Sequence, residues 1–157
     1  MIYSILLTLN LTAGALGASA HALWPEVSAA QAEQHAAAAQ AAATPELPAE
    51  LLLAVAVTES DFVATTVSNV GGSLFCGPLQ AMAGRSRARC RALADLATGY
   101  AAGADELTYW LGRTHGDVAT ALAHHACGNE ARGRKCRAYA GRVLRRYRAL
   151  VARLPTS

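Results

Sequence analysis

Basic residues are missing from the first half of this chain: no Lys or Arg precedes Arg85. The apolar stretch at the amino terminus therefore lacks the positively charged flank of a secretory leader, apart from the α-amino group. Aromatic residues make up 6% of the 157 residues and charged residues 16%. The alternation of β-branched and polar residues that announces sheets is absent, so a mainly β fold is excluded. No Cys-x2-Cys pair exists, which counts against zinc, although His124 and His125 beside Cys127 keep a zinc site as the rival reading for the cysteines. The basic stretches lack interleaved aromatics and no nucleic-acid motif accompanies them, so no nucleic-acid partner is expected. No internal repeat is present.

What is there is alanine. It supplies much of the 53% hydrophobic share, and its helix propensity and the chain length together predict one mainly helical domain with a compact core. Residues 1–20 form an apolar, small-residue stretch ending Ala18-Ser19-Ala20, which reads as a cleaved signal peptide, with a retained membrane anchor as the alternative. Residues 21–47 read as an Ala-rich solvated helix or linker, broken at Thr44-Pro45-Glu46-Leu47-Pro48. Residues 48–157 read as the functional domain. Helices are expected from Pro48 to about Phe62, over Cys90–Tyr100, Ala104–Leu111 and Asp117–His125, and from about Arg137 to Leu154, the last with Tyr139, Val143, Tyr147, Leu150 and Leu154 on one stripe. Val67–Gln80, rich in Gly and Ser, is expected to be one long loop.

Four cysteines, Cys76, Cys90, Cys127 and Cys136, are an even count, read as two disulfides of an exported protein, periplasmic or extracellular. Three connectivities are open. Cys76 with Cys90 and Cys127 with Cys136 is favoured, because each closes a short loop beside a motif. All fourteen Lys and Arg lie from Arg85 onward against five acids there, a balance of about +9 that suits anionic envelope polymers.

The most telling residue is Glu59. Leu52, Val55, Ala56 and Glu59 fall at i, i+3, i+4 and i+7, so the carboxyl shares a face with core residues. Burial and the carbonyl end of the helix both raise a carboxyl pKa, and the expected result is a general acid. The other reading is a helix-end carboxylate that fans out into solvent. A second carboxyl is not evident: Asp61 points away on a helix, and Asp95 and Asp117 reach the site only through the fold.

Glu59-Ser60-Asp61-Phe62, Val67-Ser68, Gly71, Gly77-Pro78-Leu79-Gln80 and Ala121 to Gly128 stand in an order that resembles the lytic transglycosylase catalytic domain of the goose-type lysozyme superfamily. The resemblance covers roughly residues 48 to 150. It implies a mainly α, lysozyme-like helical domain with a long substrate-cleft loop. It also implies cleavage of the MurNAc-β-1,4-GlcNAc bond of peptidoglycan with 1,6-anhydro-MurNAc formation. Glu59 would act as acid and then base, without cofactor or metal, in a protein expected to be a monomer on glycan strands. Ser68, Gln80, Met82 and His125 would bind the sugar or shape its cleft. A hydrolytic goose-type lysozyme and a non-catalytic wall-binding protein of the same fold are the alternatives. The chain departs from the family pattern at Ser73–Cys76, which lengthens the loop, at Pro78, which replaces leucine, at His125, which replaces tyrosine, and at Ala126, which replaces asparagine.

Overall fold

The computed structural model of the protein describes residues 11–155. Among them are seven α-helices and one small sheet. Helices α1 (Ala13–Leu23), α2 (Ala29–Ala42) and α3 (Ala49–Ser60) come first, followed by strands β1 (Val67–Val70), β2 (Ser73–Cys76) and β3 (Ala81–Gly84). Helices α4 (Arg87–Ala92), α5 (Leu96–Arg113), α6 (Val118–Cys127) and α7 (Arg134–Val151) complete the order. The helical class expected from composition is what forms.

Helix α3 is the axis of the molecule. Leu51 through Val57 are all buried, seven residues in succession, so the helix is apolar on every side and must be enclosed. α2 and α7 flank it. It stops because Asp61 and Phe62 both turn left-handed, at φ 49° and 61°. That conformation costs a bulky residue about 1–3 kcal/mol. The Phe62 ring recovers a similar amount by burial, edge-on to Trp24 at 5.6 Å and to His35 at 4.8 Å. Ser60 completes the anchorage, its hydroxyl 2.9 Å from both the Ala56 and the Pro78 carbonyls.

The amino-terminal segments differ from expectation. Residues 1–10 of the expected signal or anchor lie outside the described residues; from Ala13 onward the stretch is a helix packed into the core. Leu16 and Ala20 are fully buried, and a cut after Ala20 would pass through α1 itself. No described helix is long and apolar enough to cross a membrane. The expected solvated helix or linker is likewise a core element, because Ala32, Ala36 and Ala39 of α2 are fully buried and α2 packs on α1, α5 and α3. Its start is fixed by a reciprocal Ser28–Gln31 capping box.

The expected long loop is also corrected. Val67–Gln80 holds two strands of an antiparallel sheet ordered β1-β2-β3, each four residues long and so too short to show a period in sequence. Gly71 and Gly72, at φ 58° and 85°, form the two-residue turn between Val70 and Ser73, a turn that needs two left-handed residues. The expected Cys90–Tyr100 helix is instead split between α4 and α5, with the break at residues 93–95, and α5 runs unbroken from Leu96 through the expected gap into Ala104–Leu111. Gly99 and Gly103 do not interrupt it; they form a notch on its surface that receives Pro78 and Leu79, and a Cβ on Gly103 would lie 2.5 Å from Leu79 Cβ.

Both disulfides take the favoured pairing, Cys76–Cys90 and Cys127–Cys136. No thiolate is left for zinc. The first joins the sheet to α4 in a small second core with Ala81, Ala83 and Leu93. The second closes the turn Gly128–Glu130 between α6 and α7.

Candidate active site

Glu59 sits in the last turn of α3, where the enclosed helix emerges on the floor of an open cleft of ≈ 1230 Å³. Its side chain is 18% exposed, neither fanned into solvent nor sealed away. Burial pushes its pKa up, against the opposing pull of the Tyr139 hydroxyl, which donates to Oε1 at 2.5 Å, and of the Arg142 guanidinium. Arg142 itself lies over the Tyr139 ring, 5.9 Å from its centroid. Another arginine of α7 braces the same turn: Arg146 donates to the Val57 carbonyl at 2.9 Å and to Thr58 Oγ1 at 3.0 Å. The carboxyl is thus fixed in direction by the Tyr139 hydroxyl while the residue lines the cleft.

His125 is brought beside it by α6. Its side chain is 2% exposed, and Nε2 lies 3.2 Å from the Leu79 carbonyl and 3.6 Å from Glu59 Oε1. A carbonyl only accepts, so Nε2 carries the hydrogen and the neutral ring leaves Nδ1 bare. That atom is buried and has no hydrogen-bond partner among the described residues. Glu106 Oε2 faces it at 3.8 Å. Burial holds the His125 pKa down, partly offset by the Glu106 charge and the bond to Leu79. His125 therefore touches Glu59 and the loop carrying Leu79 at once.

Ser68 and Gln80 meet, Ser68 donating to Gln80 Oε1 at 2.6 Å. The Gln80 amide nitrogen in turn donates to the Thr66 carbonyl at 2.9 Å and the Gly77 carbonyl at 3.0 Å. Gln80 is left-handed at φ 51° and 6% exposed, so its side chain ties the three ends of the loop together. Its role is first to shape the cleft. Met82 is 51% exposed on the wall and outside the core, and its backbone N–H donates to Glu106 Oε1 at 2.7 Å.

All five expected site residues, Glu59, Ser68, Gln80, Met82 and His125, line this one cleft. The aspartates weighed as second carboxyls do not. Asp95 and Asp117 cap α5 and α6, bonded to Thr98 and Thr120, and both bonds hold their pKa values below the usual carboxylate range. Asp61 is exposed at the end of α3.

Sequence reasoning missed Tyr139, Arg142 and Glu106. Tyr139 reads as one more apolar residue on the α7 stripe; the signal was its hydroxyl, which needs a partner once buried. Glu106 offers no signal in the sequence, since it reaches the site only because the Gly99–Gly103 notch seats α5 against the loop. Also lining the cleft, Trp110 stacks on His124 at 4.6 Å, with Tyr109 edge-on to Trp110 at 4.9 Å, forming an aromatic shelf. Comparison of the chain with protein-family models, with curated proteins and with solved structures finds no match, so the cleft is read from its own residues.

Proposed function

We propose that this protein is a lysozyme-like, glycan-cleaving enzyme, a lytic transglycosylase acting on the MurNAc-β-1,4-GlcNAc bond of peptidoglycan. One observation carries the reading: Glu59 is a carboxyl raised in pKa by burial, held by Tyr139, and lining an open cleft of ≈ 1230 Å³. The order of sequence motifs supplies the substrate class. In this reading Glu59 protonates the glycosidic oxygen, and the C1–O bond breaks as positive charge develops on the MurNAc ring. The resulting carboxylate then takes the proton of the same sugar's C6 hydroxyl as O6 closes on C1. Met82 and the Trp110 shelf border the chain, and Ser68 with Gln80 keeps the loop in shape. The two disulfides suit an oxidising, exported location.

The test is mass spectrometry of digested sacculi. Muropeptides with 1,6-anhydro ends are expected, and their absence from cleaved material overturns the lyase reading. Glu59→Gln, which preserves shape and removes the acid, is expected to slow cleavage by at least about a hundredfold at unchanged thermal stability. Equal clearing by this variant would show that the carboxyl is not the catalyst. Binding to sacculi without any cleavage by the wild type would mark a non-catalytic wall binder.

A further inference from the structure

The cleft holds a carboxylate that a single-acid mechanism does not use. Glu106, on α5, has its Oε1 fixed by the Met82 N–H at 2.7 Å, and its side chain remains 30% exposed. Asp105 and Glu130 also line the cleft, but both are exposed and neither contacts the other site residues by hydrogen bond. Glu106 stands apart because one imidazole links it to Glu59. His125 carries Glu59 Oε1 at 3.6 Å from one ring nitrogen and Glu106 Oε2 at 3.8 Å from the other. Across a single ring these oxygens are less than about 10 Å apart, within reach of the spacing at which a water fits between an acid and a base.

The second observation is the buried Nδ1 of His125. With Nε2–H directed at the Leu79 carbonyl, Nδ1 is buried without a hydrogen-bond partner among the described residues and faces Glu106 Oε2 at 3.8 Å. A proton carried on Glu106 Oε2 would give that side of the ring the donor it lacks. The other charged or titratable groups around the ring are Glu59 of α3, and Tyr139 and Arg142 of α7, all committed to one another.

We propose that Glu106 is a second catalytic carboxylate, a base for water that gives this cleft a hydrolytic branch beside the 1,6-anhydro one. The inference rests on the proposed glycan cleavage by Glu59. After Glu59 has given its proton to the leaving oxygen and the C1–O bond has broken, the electron-poor C1 has two captors. In one branch the sugar's own O6 bonds to C1 and its proton returns to Glu59. In the other, a water oxygen bonds to C1 and its proton passes to Glu106, where it is held against His125 Nδ1. The first product is an anhydro sugar; the second has taken up one water and ends in a reducing MurNAc.

The experiment is digestion of sacculi in ¹⁸O-labelled water with analysis of both end types. The wild type is expected to yield both ends, with label only at C1 of the reducing ones. Glu106→Gln keeps an acceptor for the Met82 N–H but cannot take a proton, so the reducing share is expected to fall about tenfold or more relative to anhydro ends, in line with the loss of a general base. Glu106→Asp, which restores a carboxylate, is expected to recover part of it. Anhydro ends alone from the wild type, or the same ratio in Glu106→Gln, overturns this proposal and leaves the lyase reading intact. No cleavage of either kind overturns both. Labelled reducing ends alone, lost in Glu106→Gln, support Glu106 as the base while overturning the lyase.

Discussion

Two glycines of the same helix give a direct test of how α5 seats the loop. Gly103 and Gly112 are both helical, and replacing either by alanine brings the same kind of gain, about 0.5–1 kcal/mol of helix propensity. They differ in space. A Cβ at Gly112 meets nothing within 4 Å, whereas a Cβ at Gly103 would lie 2.5 Å from Leu79 Cβ and Cδ2 and 3.0 Å from Cγ. Leu79 is fully buried and has nowhere to retreat. An extra methyl in such a packed core costs about 1–3 kcal/mol. Because the propensity terms cancel, the difference between the two variants measures the clash itself, about 1–3 kcal/mol. At about 2–4 °C per kcal/mol for a domain of this size, that separates their melting temperatures by several degrees. Thermal unfolding followed by far-UV circular dichroism, at neutral pH with both disulfides oxidised, reads it. Gly112→Ala should melt at or above the wild type and Gly103→Ala below it. Gly103→Ala should also lose activity beyond its loss of stability, since Leu79 carries the carbonyl that holds His125 and the backbone leading to Gln80. A Gly103→Ala protein as stable as Gly112→Ala would refute the notch.

Tyr139→Phe removes a donor that favours the Glu59 carboxylate, so the acid's pKa should rise further and the alkaline limb of the pH–activity profile should move to higher pH while kcat falls; an unmoved limb would show that the hydroxyl does not act on the acid. His35, buried against Tyr100 with a bond of 2.9 Å, has a pKa lowered by burial from 6.5 to about 4. The unfolded chain takes up a proton that the folded one refuses, so stability is full above about pH 6.5 and should fall by about 3 kcal/mol as pH drops toward 4. Urea titrations at several pH values check this, and His35→Gln should flatten that part of the profile. Replacing Cys127 and Cys136 together by serine opens a loop of nine residues and should cost about 2–3 kcal/mol in chemical denaturation, with KM rising because the turn it closes lines the cleft.

Much of the helical scaffold was legible because its signals are local. The α7 stripe emerges with Tyr139, Val143 and Leu150 buried, whereas α3 has no single core-facing stripe: Leu51 through Val57 are buried on every side and Glu59 is half-buried because the enclosed helix ends there. The five motif residues proved to share a cleft. What stayed hidden depended on distance in the fold. Four-residue strands carry too few alternations to be read, so the sheet passed for a loop. Ala32, Ala36 and Ala39 looked solvated because alanine is apolar enough to be buried yet too small to mark a face; only the partner helix α1 decides. Gly99 and Gly103 carry no signal of their own in the sequence; the reason for them is the chain they admit, Pro78 and Leu79. Glu106 depended on all of this, being a surface-type residue that tertiary geometry alone brings to His125 and the Met82 N–H.

The α1–α2 contact has a consequence of its own. A Cβ on Gly17 would come within 2.6 Å of the Glu33 Cα, so the two backbones touch with almost no side chain between them. Glycine and alanine surrender little or no rotamer freedom when buried, which makes such a seam easy to close. It also leaves no soft side chain to absorb an error. Nearly any enlargement along this seam acts as a wedge, and because Trp24 at its end rests on Phe62, the wedge is transmitted to the turn that aims Glu59. The part of the molecule with the plainest composition should therefore tolerate the least variation.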